Sequence, residues 1–177
     1  MIQKKICMVG AFGVGKTSLV ARFVHSIFSE KYLTTVGVKI DKKLLHIKGE
    51  DVTLVLWDLA GKDAITQVKP EHLRGSAGYL LVADGTRGDT LPAALELESI
   101  ADRVTDDAQF SLLINKADLQ DKWEIKTHEV DSLRKQGWPV HLTSAKTGEG
   151  VEAAFLELAT RILRKEYGGE QSNASAG

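Results

Sequence analysis

One stretch of the chain has the residue types and spacing that anion binding demands: GAFGVGKTS, from Gly10 to Ser18. Gly10, Gly15, Lys16 and Thr17 satisfy the pattern G-x-x-x-x-G-K-[ST]. The apolar run Ile6–Val9 precedes it and a helical pattern follows, which is the strand–loop–helix setting such a loop needs. Glycines let successive backbone N–H groups curl around an anion without Cβ clashes. The N-terminus of the following helix adds its positive end. From such a loop a lysine ammonium reaches β- and γ-phosphates, and a threonine hydroxyl is a hard oxygen ligand for Mg²⁺. The plainer alternative, a glycine-rich turn with an incidental lysine, does not account for that setting.

A second polar cluster, Asn115, Lys116 and Asp118 in LLINKADL, follows the apolar run Phe110–Ile114. A carboxylate such as Asp118 accepts two N–H bonds from guanine N1 and N2, whereas adenine offers no matching donors and would leave polar groups unpaired. Asn115 is suited to donate to N7, and the aliphatic stem of Lys116 to cover the flat base. TSAK, from Thr143 to Lys146, follows a weaker apolar run, Trp138–Leu142, and brings the Ala145 N–H as a donor for guanine O6. Alone, N-K-x-D is short enough to be a solvated turn. Both clusters fall at strand ends, on the side of an open sheet where ligands bind.

Those strands can be read from the apolar runs Ile6–Val9, Leu54–Trp57, Tyr79–Ala83, Phe110–Ile114 and Trp138–Leu142. Near-continuous apolarity predicts strands covered on both faces, as in a parallel sheet. Between them Val151, Ala154, Phe155, Leu158 and Ile162 share one helical face, as do Leu91, Ala94, Leu97, Ile100 and Val104. Lys16–Ser26 reads as a helix with Leu19, Val20, Phe23 and Val24 inward, and Glu124–Gln136 as a weaker one. Val38–Ile47 and Asp51–Trp57 are separated only by KGED, which suits a hairpin and is too short for a crossover helix. The prediction is an open α/β sheet, five strands parallel and Val38–Ile47 an antiparallel edge.

At 177 residues the chain fits one domain, and its 43% hydrophobic and 27% charged residues are ordinary for a globular protein. A formal net charge of -1 supplies no global field for nucleic acid or an anionic membrane. Cys7 is the single cysteine, so no internal disulfide or cysteine zinc site is expected, and its apolar surroundings predict a buried thiol. The five histidines lack metal-ligand spacing. No run is long enough for a membrane span, and neither the N-terminal MIQKK nor the C-terminal NASAG carries a signal or lipidation pattern. The expectation is a cytoplasmic monomer without a direct lipid anchor. Arg87-Gly88-Asp89 is expected to be a loop before a helix, and the lysine-rich stretch from Asp41 to Asp51 a wet edge hairpin.

GAFGVGKTS, TTVG, WDLAG, NKAD and SAK, in this order and at fitting spacing, make the chain similar to the Ras-like small GTPases, and most of all to the Rab branch. The resemblance covers nearly the whole chain, to about Tyr167. It implies a P-loop NTPase fold, a six-stranded mostly parallel sheet with helices on both faces. Residues 1–167 would form the GTPase domain and 168–177 a disordered tail. It also implies a switch that cycles between GTP and GDP with Mg²⁺. Phosphate contacts are carried over to Gly13, Val14, Gly15, Lys16, Thr17 and Ser18. Base contacts go to Asn115, Lys116, Asp118, Ser144, Ala145 and Lys146, with Phe28 packed on guanine and Tyr32 over the phosphates. From the residues alone, Phe28 is an aromatic in a polar loop, as fit for the edge of the core.

By the same resemblance Thr17, Thr35 and Asp58 hold Mg²⁺, Asp58 through water, although Thr34 stands beside Thr35 with the same hydroxyl. The Gly61 N–H bonds the γ-phosphate, and the catalytic set is Lys16, Thr35, Gly61 and the residue at 62. Loss of the γ-phosphate releases the Thr35 and Gly61 contacts together, which is the physical content of a switch. Effector, exchange-factor and activating proteins are implied at residues 29–40 and 57–74. Ile40, Trp57 and Leu73 match a Rab-like apolar effector patch. From the sequence Ile40 reads as core and Trp57 as an interface residue.

Two residues depart from the family. Position 62 is usually a glutamine whose amide orients the attacking water; here it is Lys62, followed by Asp63. Lysine donates only and has no acceptor for a water proton. It is either a wet loop residue or a positive charge for the transition state. Gln67 is a more distant substitute. Phe12 stands where a small residue is common, and either crowds the path of an activating arginine or fills an apolar gap beside the second switch. The sequence therefore predicts tight guanine-nucleotide binding with slow hydrolysis. The alternatives are a constitutively GTP-bound interaction module, or a small P-loop nucleotide kinase, for which NKAD and SAK have no role.

Overall fold

The structure is a computed structural model. It describes the backbone of residues 1–31, 37–60 and 68–174, and the side chains of these through residue 168. Six strands form one sheet in the order β2-β3-β1-β4-β5-β6. They are β1 (Ile2–Gly10), β2 (Val38–Ile47), β3 (Glu50–Leu59), β4 (Gly78–Asp84), β5 (Gln109–Asn115) and β6 (Val140–Leu142). The helices are α1 (Lys16–His25), α2 (Pro70–Leu73), α3 (Thr90–Val104), α4 (Thr127–Lys135) and α5 (Val151–Ala174), with a short 3₁₀ helix at Ala117–Lys122. All pairings are parallel except β2 with β3, as the short KGED link demands. Lys48 (φ 52°) and Gly49 (φ 85°) are both left-handed, the backbone of a tight two-residue hairpin turn.

Alternation along the strands builds two apolar layers. Ile6, Met8, Leu54, Leu56, Leu80 and Val82 face α1 and α5, where Phe23 and Phe155 stack with centroids 4.1 Å apart. Cys7, Val9, Tyr79, Leu81, Leu112 and Ile114 face α3 and α4. Cys7 is buried, as its apolar run requires. Both layers are buried apolar cores, and the parallel strands β1, β3, β4, β5 and β6 bring their carboxyl ends to one edge of the sheet.

Several boundaries differ from the sequence expectation. α4 begins at Thr127 rather than Glu124, because the backbone is extended at Lys126 (φ -88°, ψ 150°), while the Glu124 and Ile125 N–H groups reach across to Gly85 O. β6 begins at Val140 rather than Trp138: the Trp138 N–H closes back on Leu133 O, and Pro139 has no N–H to give. α5 continues as backbone to Ala174, past the boundary drawn at Tyr167. Residues 168–174 are therefore helical where a disordered tail was expected, since extending an established helix needs only one more residue fixed per bond gained. Residues 175–177 lie outside the described residues. Ile40 is 50% exposed on the edge strand, not core, because β2 has no sheet neighbour beyond it. Leu73 is buried and Trp57 half-buried, with the Lys5 ammonium 3.8 Å from the Trp57 ring centroid.

Candidate functional site

The loop between β1 and α1 wraps one end of a cavity of about 330 Å³. Gly13 (φ 74°) and Gly15 (φ 104°) take backbone conformations that L side chains disfavour, which is what lets the loop curl. A Cβ on Gly15 would also sit 2.3 Å from Asn115 Nδ2. Lys16 folds back over the loop, its Nζ donating to Gly10 O at 2.9 Å and Ala11 O at 3.0 Å. Burial pushes its ammonium down to about 8, with Asp58 opposing that shift and Arg87 adding to it. Burial of this kind favours an anion beside the ammonium.

At the end of β3, Asp58 is buried and its Oδ2 accepts from Thr17 Oγ1 at 2.5 Å. A hydroxyl and a carboxylate in contact are hard oxygen donors of the kind Mg²⁺ takes, so the residues present fit that ion. Thr34, Thr35, Tyr32, Gly61, Lys62, Asp63 and Gln67, named above for the two switches, lie outside the described residues.

The far end of the cavity is walled by the loops after β5 and β6, with Asn115, Lys116, Asp118, Ala145 and Lys146 among its lining. Asp118 Oδ1 accepts from Ser144 Oγ at 2.7 Å, which fixes the carboxylate. Asn115 is buried and joins three segments. Its Nδ2 donates to Val14 O at 3.1 Å, and its Oδ1 accepts from Thr143 Oγ1 at 3.2 Å and the Ala145 N–H at 3.3 Å. That last bond is long and therefore weak. Lys116 pairs with the fully buried Asp84 at 2.7 Å, which stretches its stem along the cavity wall. Phe28 lines the cavity at 36% exposure. Val14 is wholly buried, and Ser18 lines the cavity.

Three positioning residues carry no signal in the sequence pattern. Arg22, on α1, donates from Nε to Ala145 O at 2.8 Å and from Nη2 to Lys146 O at 2.5 Å, clamping the loop after β6. Trp123 donates from Nε1 to Lys116 O at 2.8 Å, and its ring fills the space a Cβ on Gly85 would need, 2.1 Å away. Arg87, in the tripeptide expected to be a plain loop, donates from Nη1 to Phe12 O at 2.7 Å. Phe12 itself is 38% exposed at the cavity rim.

The family model described as the Ras family matches residues 5–164. The chain is 32% identical to the Ras-related protein Rab-13 of Mesocricetus auratus, over 97% of this chain and 85% of that protein. Against the Ras-related protein Rab-13 of Bos taurus the identity is again 32%, over 96% of this chain and 84% of the other. Among the described residues no helix is long and apolar enough to cross a membrane.

Proposed function

The chain belongs to the Ras family of small GTPases, on its Rab branch, and from that premise we propose that it is a Mg²⁺-dependent guanine-nucleotide switch with a slow intrinsic hydrolysis rate. The observation that carries the proposal is one cavity with a glycine-and-lysine cradle at one end and the Asp118–Ser144 pair at the other. Phosphates bind Gly13, Val14, Gly15, Lys16, Thr17 and Ser18 by backbone N–H groups, ammonium and hydroxyl. Guanine lies against Phe28 and the Lys116 stem, with N1 and N2 on Asp118. Asn115 has two N–H donors; one holds Val14 O, and the other serves N7. The Ala145 N–H exchanges its long bond to Asn115 for guanine O6. Thr17, Thr35 and Asp58 hold Mg²⁺, which supplies Lewis-acid neutralisation of the phosphate oxygens.

Hydrolysis is slow because Lys62 has no acceptor to orient the attacking water. GTP and GDP states are told apart by partners at residues 29–40 and 57–74, where Ile40 is exposed and Trp57 half-buried. Single-turnover phosphate release from GTP-loaded protein tests the rate: Lys62→Gln should release phosphate at least tenfold faster than wild type. A wild-type rate equal to or above that of Lys62→Gln removes the impaired catalyst. GTP retained by the purified protein in place of GDP favours the constitutively loaded module.

A further inference from the structure

We propose that Arg87 is a positioning residue of the phosphate cradle, acting through the Phe12–Gly13 peptide on the β- and γ-phosphate end of a bound nucleotide. The proposal rests on the guanine-nucleotide reading above. The backbone carbonyls from Gly10 to Val14 each accept a bond from a side chain. Lys16 holds those of Gly10 and Ala11, Lys116 approaches that of Gly13 at 3.5 Å, and Asn115 holds that of Val14. These three partners belong to the nucleotide-binding motifs. The carbonyl in the middle of the row, on Phe12, is held by Arg87, which belongs to none of them.

The consequence follows from peptide geometry. In a trans peptide the C=O of one residue and the N–H of the next lie in one plane and point in opposite directions. A guanidinium bonded to Phe12 O therefore fixes the plane that carries the Gly13 N–H, and Gly13 lines the cavity. Gly13 at φ 74° has no Cβ to limit its rotation, so the plane needs an outside anchor. A cationic donor on the carbonyl also polarises the peptide and strengthens its N–H as a donor.

Arg87 is itself held firmly. Its N–H donates to Asp84 O at 3.0 Å, and its carbonyl accepts from the Thr90 N–H at 3.1 Å and Thr90 Oγ1 at 2.6 Å. The next residue, Gly88, donates to Glu124 Oε2 at 2.9 Å. A rigid backbone at the start of α3 thus aims a cationic fork at the outer side of the cradle, an arrangement that preorganises its donors.

The test is titration of fluorescent GMP, GDP and GTP analogues against wild type, Arg87→Ala, Arg87→Gln and Arg87→Lys, with thermal melts of each. For Arg87→Ala and Arg87→Gln, GDP and GTP affinities should fall about tenfold while GMP affinity stays level, because only the β/γ end is served by the Phe12–Gly13 peptide. Arg87→Lys keeps a cationic donor and should recover most of the loss. Unchanged GDP and GTP affinity in both neutral variants overturns the proposal. So does an equal loss across GMP, GDP and GTP with a lowered melting temperature, the mark of a merely structural role. Wild-type protein that binds neither GDP nor GTP instead overturns the guanine-nucleotide reading, and this proposal with it.

Discussion

The Thr17 hydroxyl and the Asp58 carboxylate meet at 2.5 Å, although 41 residues separate them in the chain. The contact joins the first turn of α1 to the end of β3, and it exists because β1 and β3 are parallel neighbours that finish on the same edge. Two hard oxygens brought together there, one of them anionic and buried, have the donor chemistry that the proposed Mg²⁺ needs.

Removing the Asp58 carboxylate should therefore loosen Mg²⁺ rather than unfold the sheet. In wild type, chelation of Mg²⁺ should speed release of bound GDP, since the ion adds binding free energy to the nucleotide-loaded state. In Asp58→Ala, the Mg²⁺ concentration that gives half-maximal retention should rise at least tenfold. Release kinetics of a fluorescent GDP across a Mg²⁺ titration measure both, and an unchanged midpoint would refute the assignment.

Base selection can be tested by changing one atom type. Asp118 is held through Oδ1 by Ser144, so Asp118→Asn keeps the shape and replaces an acceptor by a donor. GTP affinity should fall about a hundredfold, roughly 3 kcal/mol, as the N1 and N2 donors lose a charged acceptor. Xanthosine triphosphate, with a carbonyl where guanine has its amino group, should bind the variant better than the wild type. Competition binding with the two triphosphates reads the exchange. If both nucleotides weaken equally, Asp118 does not face the base.

What was legible in the sequence was local. The parallel strands show because burial on both faces makes Ile6–Val9 and Tyr79–Ala83 continuously apolar. The cradle shows because glycine, lysine and threonine must sit at fixed offsets along one loop. Arg22, Arg87 and Trp123 were invisible for the opposite reason. Arg22 and Arg87 act on backbone carbonyls 123 and 75 residues away, and a carbonyl has no residue type to pattern against. Trp123 acts nearby, but its fit to Gly85 depends on how the loop after β4 lies against the 3₁₀ helix. The helix starts at Thr127 and not Glu124 because Lys126 is extended, a backbone state that goes with the packing of Glu124 against Gly85 and Gly88 and has no marker in the residue types. Ile40 is exposed against its apolar type because apolarity in an edge strand does not by itself say which face is covered.

The cradle's close fit predicts a sharp contrast between two glycines. Gly15 has φ 104° and a Cβ there would meet Asn115 Nδ2 at 2.3 Å. Gly49 has φ 85° with nothing within 4 Å. Both alanine variants carry backbone strain, on the order of 1 kcal/mol each. Gly15→Ala must also push away the amide that ties the cradle to the base loop, so nucleotide release should quicken more than tenfold. Gly49→Ala should lower stability alone and leave release unchanged. Equal release rates for the two variants would mean that the Gly15–Asn115 contact does not matter to binding.

The last prediction concerns pH and a residue outside the cavity lining. His141 on β6 lies 3.0 Å from Glu157 of α5, a contact that by itself would favour the imidazolium. Burial outweighs it, and the Arg161 and Arg134 guanidiniums on α5 and α4 add to the opposition, so the imidazole titrates below its ordinary value of 6.5. The unfolded chain then binds a proton before the folded one does. The group's contribution to stability is accordingly complete above about pH 6.5 and is lost as pH falls through the folded-state value. His141→Gln removes the titrating group and should flatten that part of the profile, while His46→Gln, at the exposed hairpin, serves as a control. Urea unfolding of the nucleotide-loaded protein from pH 7.5 to pH 5 measures the difference between wild type and the two variants. Wild-type stability that rises on acidification relative to His141→Gln would show that Glu157, not burial, governs the imidazole.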